Sequence, residues 1–166
     1  MDEKALLRAT AVKPSGDWPA PEARGTVLLG YDDRHRRRRR YTAEGGLDFL
    51  LDLPEAAVLR DGDGLALEGG GFVLVRAAPE PLVEVAAESP AQLARLAWHL
   101  GNRHLPARIE AGRLLIRDDH VIVEMLRGLG ASVRRVSEPF DPEGGAYGEH
   151  NRQPSHPHGH RHHRHD

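Results

Sequence analysis

The hydrophobic rhythm of this chain changes once, around Ala77-Ala78-Pro79-Glu80-Pro81, and that change limits the folds open to it. From Thr26 to Arg76 the pattern is short apolar runs: Thr26 to Leu29, Leu47 to Leu53, Ala56 to Leu59, Leu65 to Leu67 and Phe72 to Val75. Between them lie Glu44-Gly45-Gly46, Asp61-Gly62-Asp63-Gly64 and Gly69-Gly70-Gly71, residues that supply tight turns and tolerate positive φ. Short runs cut by turns predict a small β domain. The two prolines at 79 and 81 predict an extended linker.

Beyond the prolines the order becomes strand, helix, strand, strand, helix, strand. Leu82 to Ala87 reads as a strand, and Ser89-Pro90-Ala91-Gln92 opens a helix with a serine cap, an early proline and a glutamine placed for a capping box. Leu93, Leu96, Ala97 and Leu100 form that helix's apolar stripe, and Gly101 is its expected end. Ala107 to Glu110 and Arg113 to Ile116 pair around Ala111-Gly112, and Asp118-Asp119 caps a second helix with the stripe Val121, Ile122, Met125, Leu126 and Leu129. Gly130 ends it, and Ala131 to Val136 is the closing strand. The expected class is therefore α+β. An all-β domain over residues 1–76 and a linker at 77–81 precede a ferredoxin-like βαββαβ domain over 82–148, and a histidine-rich tail over 149–166 follows.

Composition narrows the chemistry. The chain has no cysteine, so disulfides, thiolate metal sites and cysteine nucleophiles are excluded. Any metal must be held by nitrogen and oxygen. No apolar run approaches the roughly 18 residues of a membrane span, and MDEKALLRAT lacks the features of a signal peptide, so a cytoplasmic protein is expected. There is no phosphate-binding loop with the Walker spacing, no Gly-x-Ser-x-Gly and no His-Glu-x-x-His, so no enzyme class is indicated.

Seven of the eleven histidines lie in the last seventeen residues, at His150, His156, His158, His160, His162, His163 and His165. Pro157, Gly159, Arg161 and Arg164 interrupt them, unlike a purification tag. His156, His158, His160 and His162 alternate, so on an extended backbone their rings project to one side about 6 to 7 Å apart and neighbours can close on one ion. With almost nothing apolar to bury, the segment is expected to be disordered and to exchange metal quickly. Neutral imidazole suits nickel, zinc, copper and iron alike.

His120 is different. The stripe of the second helix centres nearly opposite it, so it is expected to face away from its own core. A lone histidine is ordinarily a surface or core residue, but the first helical turn favours the neutral ring that binds metal. Asp118 and Asp119 are candidates to cap the helix or to orient that ring. His99 and His104, in Trp98-His99-Leu100-Gly101-Asn102-Arg103-His104, fit ligation and helix capping equally well. Trp98 falls off the buried stripe, as a residue contacting another subunit or a partner would.

These stretches together, with Met125-Leu126-Arg127-Gly128-Leu129-Gly130, Pro139-Phe140-Asp141-Pro142-Glu143-Gly144-Gly145-Ala146-Tyr147 and the histidine-rich end, resemble the UreE family of urease accessory proteins. Asp32-Asp33-Arg34, the arginine cluster and Leu59-Arg60-Asp61-Gly62-Asp63 extend the resemblance into the first half. It implies a homodimeric metallochaperone that passes Ni(II) to the urease apoprotein together with an accessory GTPase. It also implies a first domain likened to a peptide-binding module and a metal-binding second domain. The residue matching His120 is the interfacial ligand, given by both subunits across the two-fold axis. Zn(II) or Cu(II) is expected to bind in vitro. Some relatives carry a His-x-His pair on the last strand; Ser132-Val133-Arg134-Arg135-Val136 has none, so that extra site is expected to be missing. The rival readings are a nickel or zinc store and, more remotely, a nucleic-acid-binding protein acting through Arg34 to Arg40.

Overall fold

The computed structural model describes residues 6–143 and forms two sheets in succession along the chain. The first contains β1 (Leu7–Lys13), β2 (Ala23–Leu29), β3 (His35–Thr42), β4 (Asp48–Val58), β5 (Gly64–Leu67) and β6 (Phe72–Ala77), in the spatial order β2-β6-β5-β1-β4-β3. Alternation decides what it buries. On β4, Phe49, Leu51 and Leu53 lie in the core while Asp52 between them faces outward. Ala9, Val27, Tyr41, Leu59, Leu65, Val73 and Val75 complete that core.

Two elements differ from the sequence expectation here. The runs 47–53 and 56–59 are one strand: β4 continues through Pro54, and its pairing with β3 shifts register between Arg36 and Arg38. Most of the arginine run is itself strand β3.

The second sheet holds β7 (Pro79–Ala86), β8 (Arg108–Glu110), β9 (Arg113–Arg117) and β10 (Ser132–Pro139), all antiparallel in the order β10-β7-β9-β8. With α1 (Pro90–Asn102) and α2 (His120–Gly128) it follows the βαββαβ order read from the sequence. The expected linker at 77–81 is instead paired backbone, because β7 begins at Pro79 and only Ala78 separates it from β6. Prolines survive in this central strand for a local reason. Pairing with β9 stops at Leu82, so Pro79 and Pro81 have a neighbour only in β10, and their missing N–H groups interrupt no second ladder. The tail, with His150, His156, His158, His160, His162, His163 and His165, lies outside the described residues, as do residues 144–148.

Both helices pack on one face of this sheet through Val83, Val85, Leu96, Leu100, Leu114, Ile116, Ile122, Val123 and Leu126. Ser89 caps α1 by accepting from the Gln92 N–H, while the Gln92 side chain reaches back to the Glu88 N–H rather than to the cap residue. Gly101 does not end the helix. The chain turns at His104 (φ 56), whose N–H donates to the Gly101 carbonyl while the Leu105 N–H donates to Leu100. Gly130 (φ 88) makes the same pair of bonds after α2, as expected of it. On α2 the buried face is Ile122, Val123 and Leu126, whereas Val121 is 71% exposed, so the stripe is turned from the expected one by less than a residue step.

The opposite face of the second sheet meets the first half of the chain. Leu82, Leu115 and Phe140 are buried there with Tyr31 and Val136 against them. Arg34, fully buried, donates to the carbonyls of Leu59 and Phe140 and pairs with Asp141. Arg60 adds a second ion pair to Asp141 at 3.2 Å, and Arg117 pairs with Asp32 at 3.0 Å.

Candidate metal centre

His120 is the first residue of α2, and its position is set by the residue before it. Asp119 has extended backbone and accepts from the N–H groups of Val121 (3.0 Å) and Ile122 (3.2 Å), which starts the helix and leaves His120 on its first turn. Because Ile122, Val123 and Leu126 take the core face, His120 is exposed, as the sequence pattern predicted, with exposed Val121 beside it. Asp118 has another role: it pairs with Arg135 of β10 at 3.1 Å. Among the described residues neither aspartate bonds the His120 ring.

The imidazole borders an open cleft of about 470 Å³ between α2 and β10, whose other walls include Asp118, Val123, Arg127, Arg134 and Arg135. Arg127 comes from α2 itself, two turns after His120, whereas sequence reasoning did not anticipate Arg134 and Arg135 as neighbours, since the sheet pairing of β10 brings them alongside. Each has a carboxylate: Arg127 pairs with Glu124, Arg134 with Glu84 and Arg135 with Asp118. Arg134 and Arg113 hold Glu84 below the ordinary carboxylate range, so it stays ionised.

The remaining described histidines lie elsewhere. His99 is half-buried on α1, its ring edge-on to Trp98 with centroids 5.1 Å apart. Trp98 is 64% exposed, as its place off the stripe foretold. His104 caps α1 through its backbone, and His35 is exposed at the start of β3. No group of three or more metal-ligating side chains among the described residues is placed to hold an ion. One described chain thus offers a single exposed imidazole at a helix start, and a stable site for a divalent ion needs donors from beyond it.

Comparison with known proteins agrees with the two-part fold. Residues 4–78 match the model for the N-terminal domain of UreE urease accessory protein, and residues 80–166 match the model for its C-terminal domain. A urease accessory protein UreE of Bradyrhizobium sp. (strain ORS 278) is 55% identical over 154 residues, covering 93% of this chain and 71% of the relative. UreE of Chelativorans sp. (strain BNC1) is 51% identical over 162 residues, covering 97% of this chain and all of the relative. UreE of Rhodobacter capsulatus is 50% identical over 154 residues, covering 93% and 94% of the two chains. With both halves matched in order along nearly its whole length, this chain belongs to the UreE family of urease accessory proteins.

Proposed function

We propose that this protein carries Ni(II) as cargo for urease assembly, receiving it at His120 in a homodimer and passing it to the urease apoprotein with the accessory GTPase. The observation that carries the reading is His120 itself: an exposed imidazole, fixed at a helix start by the Asp119 cap, beside the exposed side chain of Val121. A two-fold axis through this surface gives two such rings from one residue per chain, the economy of an isologous interface. The ferredoxin-like order supports it by holding α2 against a four-stranded sheet, so the ligand is pre-positioned. His150, His156, His158, His160, His162, His163 and His165 serve as a second, weaker and more numerous set of donors. Zn(II) and Cu(II) compete for the same imidazoles in vitro, and the setting is cytoplasmic.

The test is nickel titration calorimetry on wild type, on His120→Ala and on a chain shortened after Gly148, paired with activation of apo-urease by the accessory GTPase at limiting nickel. The tight site disappears in His120→Ala, weaker binding remains, and urease activation falls. Full activation by His120→Ala removes this residue from the pathway. Nickel binding by wild type without any activation favours a store over a carrier.

A further inference from the structure

The arginine run acquires a different meaning once its place in the fold is known. β3 is the last strand of the first sheet and pairs only with β4 among the described residues, leaving its other side as a free edge. Such an edge presents a row of backbone donors and acceptors ready for another strand. Along it stand Arg36, Arg37, Arg38, Arg39 and Arg40, and the last four are exposed. Successive side chains leave opposite faces of a strand, so guanidinium groups flank the edge above and below.

Their charge is only partly answered. Asp33 serves both Arg36 (3.5 Å) and Arg39 (2.6 Å), and Asp48 pairs with Arg40 at 3.3 Å. Asp52, opposite Arg38 in the ladder, is taken by Arg8, and Arg37 donates through Nε to the Pro54 carbonyl. Arg37 and Arg38 enter no ion pair among the described residues. Both act on the Asp52 carboxylate only from beyond ion-pair distance, so the edge is a hydrogen-bonding template bordered by incompletely answered positive charge.

We infer that β3 docks an extended, acid-rich peptide segment of a partner protein by strand addition, with carboxylates at alternate positions meeting the arginines. Three considerations select this occupant. A second copy of the same edge sets arginine against arginine, and like charges directly opposite repel. A neutral strand gains the backbone bonds but leaves the guanidinium groups unanswered, so it loses to an acidic one. A nucleic acid answers the charge but has no alternating peptide N–H and C=O groups to use the edge. Among the described residues the aromatics of β3 and β4, Tyr41 and Phe49, are buried and offer no platform for bases. The same arginines thus block self-pairing and choose the partner. This surface is separate from His120, and the inference does not depend on nickel.

The experiment uses the full chain and a fluorescent octapeptide of alternating glutamate and threonine. Its comparators are the same peptide with lysine for glutamate, the glutamate peptide N-methylated at alternate backbone nitrogens, and a single-stranded and a duplex oligonucleotide. Fluorescence anisotropy is expected to detect the glutamate peptide alone, with binding weakened by salt. Arg38→Ser combined with Arg40→Ser, which share one face of β3, is expected to weaken it several-fold, and adding Arg37→Ser, which stands on the opposite face and serves the alternative register, about tenfold in all. Unchanged urea midpoints show that the variants fold. Equal binding of the N-methylated peptide overturns strand addition, and tighter binding of either oligonucleotide overturns the choice of a peptide partner. Unchanged affinity in the triple variant overturns the role of the arginines.

Discussion

Arg34 opens what looks like a uniform basic run, yet its removal is expected to damage the fold while loss of its neighbour Arg38 is not. Arg34 is fully buried and gives hydrogen bonds to the Leu59 and Phe140 carbonyls and to Asp141, so it ties the first sheet to the segment after β10. Replacing it with methionine keeps much of the length and apolar contact but strands those acceptors. Hydrogen bonds from a charged donor contribute about 1.5 to 3 kcal/mol each, and breaking a buried ion pair from one side costs about 3 to 5 kcal/mol. Two features reduce the loss. Asp141 keeps Arg60, and burying the guanidinium is itself unfavourable, since its Nε has no partner. We expect Arg34→Met to destabilise by about 3 kcal/mol, a fall in Tm on the order of 6 to 12 °C for a chain of this size. Arg34→Lys, which keeps the charge without the planar fork, is expected to fall between. Arg38→Ser is expected to stay within about 0.5 kcal/mol of wild type. Urea unfolding followed by far-UV circular dichroism measures all three. If Arg34→Met and Arg38→Ser share a midpoint, the seam between the two halves is not held as described.

The network around Arg113 makes a pH prediction. Arg134 and Arg113 hold Glu84 below the ordinary carboxylate range, and Arg113 does the same to Glu138. Depressed carboxylates stabilise above their unfolded pKa and lose that contribution as pH falls through the folded one. The stability gap between wild type and Glu84→Gln should therefore be largest at neutral pH and close as pH falls through the lowered range in which the folded carboxylate takes up its proton, as read by urea midpoints across pH. At the end of α1, His104→Gly should stabilise by about 1 kcal/mol by relieving a left-handed backbone, and His104→Val should destabilise by a similar amount; thermal melts distinguish them. Removing residues 149–166 should lower the number of nickel ions bound per chain without moving the urea midpoint, and an unchanged stoichiometry would refute a donor role for the tail.

The sequence by itself determined which segments are strands and helices in the second half, because period and caps are local: Ser89, Asp119 and Gly130 act where the pattern put them. It also determined that His120 stands off the core, since one strong apolar stripe is enough to exclude the opposite side of a helix. Local signals failed where neighbours decide. Val121 and Val123 are equally apolar, and only the sheet beneath α2 selects Val123 for burial. Pro79 and Pro81 read as a linker because nothing nearby reveals that β10 runs alongside them and β9 stops short. Arg34 and Arg38 share a residue type and a run, yet one is sealed beneath Phe140 and the other faces the free edge of a sheet. Burial is a property of what the chain brings together over a hundred residues, and residue identity does not encode it. The tertiary structure alone separated an arginine buried in the seam from arginines exposed along a sheet edge.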